Sequence, residues 1–108
     1  MRYDNLLHRV KYVRAAATIE LWETRVFVDS PDAFTVALPD VAEAVGLIYT
    51  IRLFDSPDTN TTVSAGAAYI LSKTVMATSR VLVAQHDYIV LLSDGTYWHE
   101  LASGTQVG

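Results

Sequence analysis

Apolar and polar residues alternate most regularly over residues 47–54, which read LIYTIRLF. Every second position from Leu47 to Leu53 is apolar, whereas Thr50 and Arg52 lie between them. Successive side chains of a β-strand point to opposite faces, so this spacing predicts a half-buried strand. Residues 33–39, AFTVALP, show the same alternation and predict a second strand that ends at its proline.

Shorter runs rich in Val, Ile, Thr and aromatic residues recur along the chain and are separated by clusters of Asp, Ser, Pro and Gly. Such runs at intervals of about 8–12 residues are typical of sandwiches and barrels. The pattern predicts an all-β fold, a small antiparallel sandwich or barrel. Residues 39–46, PDVAEAVG, are long enough for a single helical turn that begins at Pro39 and ends at a left-handed Gly46.

The first 16 residues follow a different pattern. Leu6, Leu7, Val10, Val13 and Ala17 recur at spacings of one, three and four residues. This spacing indicates either one face of a short helix or an extended arm whose apolar residues contact a partner. The predicted organisation is therefore an N-terminal arm, residues 1–16, and a β-domain, residues 17–108.

Charge separates the same two regions. Residues 1–14 carry four basic residues and one acidic residue, whereas the remainder carries four basic and eleven acidic residues, for a total net charge of −4. A basic arm on an acidic body favours contact with an acidic protein surface or a neighbouring subunit. Four cations without an aromatic platform are a weak basis for nucleic-acid binding, so no nucleic-acid partner is predicted.

Composition adds one expectation about assembly. Hydrophobic residues make up 51% of the chain and charged residues 19%. A small domain exposes much of its surface, so this excess of apolar residues predicts a subunit interface. The apolar runs are shorter than the roughly 20 residues that a membrane helix needs, and the basic residues of the arm interrupt any signal-peptide core. No membrane partner is predicted.

Candidate chemistry is sparse. The chain has no cysteine and three histidines, and it lacks the spacings of zinc sites, phosphate-binding loops and serine-hydrolase elbows. A metal pair of His86 and His99 is conceivable in a hairpin, but ordinary surface histidines are the favoured interpretation. The sequence predicts no catalytic residue, no metal and no cofactor, and hence a protein that is not an enzyme.

Residues 88–101, YIVLLSDGTYWHEL, join two apolar runs through a turn at Asp94-Gly95. Asp-Gly accommodates the positive φ of a tight hairpin, so a structural hairpin is the favoured interpretation. Trp98 alternates with Tyr97, and one of the two aromatics is expected to face a core or an interface. A Trp that stacks on a sugar ring is the alternative.

Several of these strings occur together in an order that resembles a known module. They are Leu38-Pro39, Gly46, Tyr49-Thr50-Ile51, Asn60-Thr61-Thr62-Val63, and Leu92 to Trp98. Residues 33–101 thereby resemble a β-module of bacteriophage virion proteins, which is found in tail fibres, head fibres and capsid decoration (cement) proteins. Proteins with this module are typically trimeric and serve as structural or adhesive units.

The resemblance implies a capsid decoration protein that forms a homotrimer and binds the outer surface of the major capsid protein, because a chain of 108 residues is short for a complete fibre. The aromatic residues Trp22, Tyr49, Tyr97 and Trp98 are expected in the trimer contact or the core. The residues expected to contact the capsid lie in the arm: Leu6, Leu7, Arg9, Val10, Lys11, Val13 and Arg14. The alternative is a fibre or receptor-binding module that recognises a host-surface glycan through Trp22 or Trp98.

Overall fold

Eleven β-strands and no helix make up the part of the chain that the computed structural model describes, which is residues 10–29, 33–55, 61–72, 76–83 and 86–104. The strands, in chain order, are β1 (Lys11–Val13), β2 (Ala17–Thr18), β3 (Arg25–Asp29), β4 (Phe34–Ala37), β5 (Ile48–Asp55), β6 (Thr61–Ser64), β7 (Ile70–Leu71), β8 (Met76–Ala77), β9 (Ser79–Leu82), β10 (Tyr88–Ser93) and β11 (Trp98–Gly104). The prediction of an all-β fold is confirmed.

Two sheets pack face to face. The seven-stranded sheet has the order β1-β3-β5-β10-β11-β7-β8, and the four-stranded sheet has the order β2-β4-β6-β9. Both sheets contribute buried side chains to one core, for example Val26 and Ile51 from the larger sheet and Val36 and Val63 from the smaller. The architecture is therefore a sandwich of unequal sheets.

The first six strands alternate between the two sheets, and within each sheet they lie side by side in parallel. Lys11 pairs with Val26, which pairs in turn with Ile51, and Ala17 pairs with Val36 in the opposite sheet. Parallel neighbours need a long crossover, which is usually a helix. Here each crossover contains a strand of the other sheet. The chain therefore passes back and forth between the two sheets three times, through the pairs β1 and β2, β3 and β4, and β5 and β6.

The expectation of an antiparallel sandwich is wrong for this half of the molecule, because both sheets are mixed. Antiparallel pairing begins where the winding ends. β10 lies between β5 and β11 and is antiparallel to both, and β9 is antiparallel to β6. The predicted hairpin at residues 88–101 is confirmed, and Gly95 in its turn has a φ of 98°.

Alternation places the core side chains as predicted. Tyr49, Ile51 and Leu53 are fully buried, whereas Ile48 is half exposed. The largest buried ring is that of Trp98, which packs edge-on against Tyr49 with the ring centroids 5.5 Å apart. Burial of each large apolar side chain contributes about 1.5–3 kcal/mol to the free energy of unfolding. The core between the two sheets is therefore the main source of the fold's stability.

The loop between β4 and β5 forms a short hydrogen-bonded turn. Asp40 accepts through its carbonyl from the N–H groups of Glu43 and Ala44, and its carboxylate accepts from Ala42 N at 2.9 Å. Gly46 has a φ of 81°, the left-handed conformation expected of it. Its N–H donates to the carbonyl of Ser93 at 2.8 Å, which fixes this loop against the hairpin turn.

The described part of the N-terminal arm is extended rather than helical. Lys11–Val13 forms the edge strand β1, and Val13 is buried in the core. The helical alternative fails here because pairing with β3 outweighs a weak local spacing. Leu6, Leu7 and Arg9, three of the residues predicted to bind a capsid, lie outside the described residues.

Candidate functional site

The surface of the seven-stranded sheet that points away from the core carries a row of aromatic and cationic side chains. Tyr12 pairs with Phe27, Phe27 with Arg52, and Arg52 with Tyr88. Directly paired residues project from the same face of a sheet, so these four side chains form a continuous row across four strands. We call this surface of the sheet the outer face.

Ring packing orders part of the row. Tyr12 and Phe27 meet edge-on, with centroids 5.6 Å apart and an angle of 85° between the rings. At the other end, the Tyr88 ring lies over Gly104 of β11 and leaves no room for a Cβ atom there. The glycine thus lets the ring approach the neighbouring strand closely.

A second row, apolar except for His99, crosses the outer face near the start of β5. Ile48 pairs with Leu92, Leu92 with His99, His99 with Leu71, and Leu71 with Met76. Ile48 is 49% exposed and Met76 is 61% exposed. Large apolar side chains thus recur over most of the sheet's width, whereas a solvated outer face normally alternates with polar residues.

The outer face also holds two cations without an acidic partner. Within residues 10–29, 33–55, 61–72, 76–83 and 86–104, neither Arg25 nor Arg52 forms an ion pair. Arg52 Nη2 lies 3.1 Å from Nδ1 of His86, whose φ of 74° is unusual for a residue with a side chain. The ring nitrogen accepts this bond, so Arg52 keeps an uncompensated positive charge on an apolar surface.

One end of the sandwich is formed by four loops, residues 19–24, 38–47, 65–69 and 94–97, which we call the loop end. Backbone and side-chain bonds tie the loops to the sheets and to one another. Tyr49 Oη donates to Leu21 O at 2.7 Å, and Trp98 N donates to Tyr69 O at 2.9 Å. Ser93 Oγ donates to Val41 O at 2.5 Å, which joins the loop of residues 38–47 to the end of β10.

Exposed carboxylates and apolar side chains alternate on the loop end. Glu20, Asp40 and Glu43 are exposed, and none of them forms an ion pair with another described residue. The exposed aromatic residues there include Trp22 at 58% and Tyr97 at 39%. The loop end is thus acidic and partly apolar, the opposite in charge to the outer face.

A groove of about 650 Å³ opens between three of these loops. Its lining is mostly backbone and small side chains, with Leu38 and Pro39 on one wall, Ala65 to Ala68 on another, and Gly95 with Thr96 closing it. Only Asp40 is charged among the lining residues. The lining residues therefore place no second ionised side chain beside Asp40 in the groove.

Asp94, in the turn between β10 and β11, has a carboxylate whose hydrogen bonds lower its pKa. Its carboxylate accepts from Tyr97 N at 2.7 Å and from Thr96 N at 2.8 Å, and it lies 2.6 Å from His99 Nε2. The bond from Tyr97, followed by those from His99 and Thr96, lowers the pKa of Asp94 from 3.8 to about 2. The arrangement is that of a hairpin turn fixed by one ionised side chain.

The lowered pKa predicts a specific acid dependence of stability. The folded protein holds the Asp94 proton more weakly than the unfolded chain, so the ionised carboxylate stabilises the fold above pH 3.8, and this contribution is lost as the pH falls through about 2. We expect the stability difference between wild type and Asp94→Asn to shrink over that window, measured by urea unfolding at a series of pH values. An equal difference at both ends of the window would contradict this assignment.

The four aromatic residues predicted in the trimer contact or the core divide into two pairs. Trp98 and Tyr49 are buried in the core. Burial also leaves Trp98 no free face for a sugar ring, so its candidacy as a stacking residue is wrong. Trp22 and Tyr97 are exposed on the loop end, where they are accessible to a partner.

The arm residues that the structure describes are already engaged with the β-domain. Lys11 Nζ lies 3.0 Å from Glu23 Oε2, and Arg14 Nε lies 3.1 Å from Asp29 Oδ2. Val13 is buried, whereas Val10 is half-buried at the start of β1. The structure thus assigns Lys11 and Val13 a role in holding β1 at the sheet edge.

The structure separates the two histidines of the conceivable metal pair. His86 precedes β10, whereas His99 pairs with Leu92 near the other end of that strand. Among the described residues there is no group of three or more potential metal ligands, and there is no helix long and apolar enough to cross a bilayer.

Sequence reasoning missed the outer face as a candidate surface. The alternation of β5 did place Ile48, Thr50 and Arg52 on one side, but the residues of other strands that extend the row through Arg52 lie 25 to 40 residues from it in the chain. An unusually apolar composition was the only signal.

No family model matches the chain, and no curated protein matches its sequence. The likeness to the phage module therefore depends on the motifs alone.

Proposed function

We propose that this protein is a structural virion protein, a capsid decoration protein that forms a homotrimer and binds the outer surface of the major capsid protein. The observation that carries the proposal is the outer face, on which Tyr12, Ile48 and Met76 are each about half exposed or more. Exposed large apolar side chains that share one face of a sheet are typical of protein contacts. Self-association would remove it from water, and the role requires buried area rather than a titrating residue.

The motif resemblance supports the capsid part of the proposal. A trimer that contacts several capsid subunits at once raises the effective concentration at each further contact, so modest interfaces add up to tight binding. Because Lys11 and Val13 hold the sheet edge, the capsid contact is assigned to the residues before β1, which include Leu6, Leu7 and Arg9. These residues combine apolar side chains with positive charge.

Native mass spectrometry of the purified chain tests the assembly directly. We expect a species of three times 11.9 kDa at micromolar concentration. The capsid contact is tested by co-sedimentation with shells assembled from the major capsid protein encoded in the same genome. We expect the full chain to sediment with the shells, and a chain without residues 1–9 to lose binding about tenfold or more while it stays trimeric.

A monomeric wild-type chain would overturn the trimer, and a full chain that stays in the supernatant would overturn the decoration role. Deletion is limited to residues 1–9 because removal of residues 1–16 would also take away β1 and the buried Val13. The shorter deletion keeps β1 and Val13. If this variant is trimeric but does not sediment with the shells, the loss is one of capsid binding rather than of folding.

A fibre or receptor-binding module that recognises a host glycan is the second candidate, and the exposure of Trp22 favours it. The ring is 58% exposed in a loop that also carries Glu20 and Glu23, and such a pairing of an aromatic face with polar groups suits a sugar. A glycan array probed with the wild type and with Trp22→Ala separates the two candidates. Hits that Trp22→Ala abolishes would favour the fibre role, and an array without hits would remove it.

A further inference from the structure

We infer that the homotrimer, if it forms as proposed above, is closed by contacts between the outer face of one copy and the loop end of the next. The inference rests on the proposed function and identifies its interface. Each copy contributes one surface of each kind, so the contact is heterologous and can close into a ring of three.

Charge complementarity is the first argument. On the outer face, Arg25 and Arg52 are exposed and have no carboxylate partner within the described parts of the chain. On the loop end, Glu20, Asp40 and Glu43 are exposed and likewise lack an ion-pair partner there. A contact between these two surfaces would pair charges that each copy leaves uncompensated, which favours encounter in this orientation.

The same charges disfavour the alternatives. Two outer faces in contact would bring four unpaired arginines together, and two loop ends would bring six carboxylates together. Like charges at an interface are costly, so the complementary arrangement is selected over both symmetric ones. A nucleic acid is also disfavoured as the partner, because the chain as a whole carries a net charge of −4 and its loop end is acidic.

Surface area is the second argument. The exposed fractions of Tyr12, Ile48, Met76 and Tyr88 are 64%, 49%, 61% and 37%. At roughly 200 Å² for each large side chain, these four expose on the order of 400 Å² of surface. A standard interface buries about 800 Å² on each partner. The four side chains thus supply about half of it, and the arginines and half-buried side chains of the same face supply further area.

The loop end provides matching apolar contacts. Trp22, Val45 and Tyr97 are exposed there at 58%, 58% and 39%, and they lie among the three carboxylates. Aromatic residues and arginine are the residue types enriched at the centre of protein interfaces. The two surfaces therefore match in both their polar and their apolar parts.

Charge reversal tests the inference. The outer-face variant is Arg25→Glu with Arg52→Glu, the loop-end variant is Glu20→Arg with Glu43→Arg, and the swapped variant combines all four changes. Asp40 is left intact because its carboxylate bonds the backbone of its own turn. In native mass spectrometry at micromolar concentration, we expect the trimer fraction of each double variant to fall about tenfold or more. The swapped variant should recover it, because both charges are inverted together.

Controls separate this inference from the proposed function. Thr18→Glu with Thr35→Glu adds charge to exposed positions of the four-stranded sheet and should leave the trimer unchanged. Circular dichroism checks that each variant folds. Arg25→Gln with Arg52→Gln replaces an outer-face variant that does not fold, and Glu20→Gln with Glu43→Gln replaces a loop-end variant that does not. A monomeric wild type overturns the proposed trimer itself. A trimeric wild type whose outer-face variant stays trimeric, or whose swapped variant stays dissociated, overturns this interface alone.

Discussion

Replacement of Trp98 with Ala is expected to lower the free energy of unfolding by about 3–5 kcal/mol. The indole is completely buried, it packs against Tyr49, and it lies where β11 meets both β10 and β7. Removal of the ring leaves a cavity in the core beneath the larger sheet, which the neighbouring side chains fill only in part. Urea unfolding followed by circular dichroism measures the change.

Trp98→Phe is the matched control. Its ring fills much of the space, and it removes the indole N–H, which is buried without a hydrogen-bond partner among the described residues. Because an unpaired buried donor is itself unfavourable, the Phe variant should lose less than half of what the Ala variant loses. Equal losses in the two variants would show that packing of the ring is not what matters at this position.

The second large effect is expected at the ion pair between Arg80 and Glu100, which links the two sheets. Arg80 belongs to β9 of the smaller sheet and Glu100 to β11 of the larger one, and the side chain of Glu100 is 11% exposed. Glu100→Ala leaves the guanidinium partly buried without its carboxylate. We expect a loss of about 2 kcal/mol in the free energy of unfolding, the range for a hydrogen bond to a charged group.

A double-mutant cycle isolates the pair. Arg80→Ala, Glu100→Ala and the double variant are compared in urea unfolding, and the coupling is expected to be about 1–2 kcal/mol. The single Glu100 variant also loses a bond from Ser103 Oγ at 2.9 Å, which the cycle subtracts. A coupling near zero would mean that the two sheets are held together by the apolar core alone.

Local pattern was sufficient to predict individual strands. The alternation around Tyr49 and Ile51 gave the buried side of β5, and Asp94-Gly95 gave the hairpin turn, because both depend on neighbouring residues. Strand direction was not predictable in this way, since alternation is the same in parallel and antiparallel sheets. The antiparallel sandwich was therefore the wrong choice for the first six strands.

The candidate surfaces could not be predicted from local pattern, because they are formed by residues that are distant in the sequence. Tyr12, Phe27, Arg52 and Tyr88 are far apart in the chain and become neighbours only through the register of four strands. The apolar excess indicated that an interface exists, but it could not locate it. Likewise, Val10 and Val13 fit a helical spacing, and only the pairing of β1 with β3 decides that Val13 is extended.

The position of β10 has a consequence for synthesis. This strand separates β5 from β11, so the middle of the larger sheet is occupied by residues 88–93, which are synthesised after the described strands β1 to β9. Until β10 is synthesised, β5 has a neighbouring strand, β3, along only one of its two edges. Topologies of this kind, whose pairings join distant segments, belong to the slowly folding class. The nascent chain therefore carries an incomplete sheet until β10 and β11 have been synthesised.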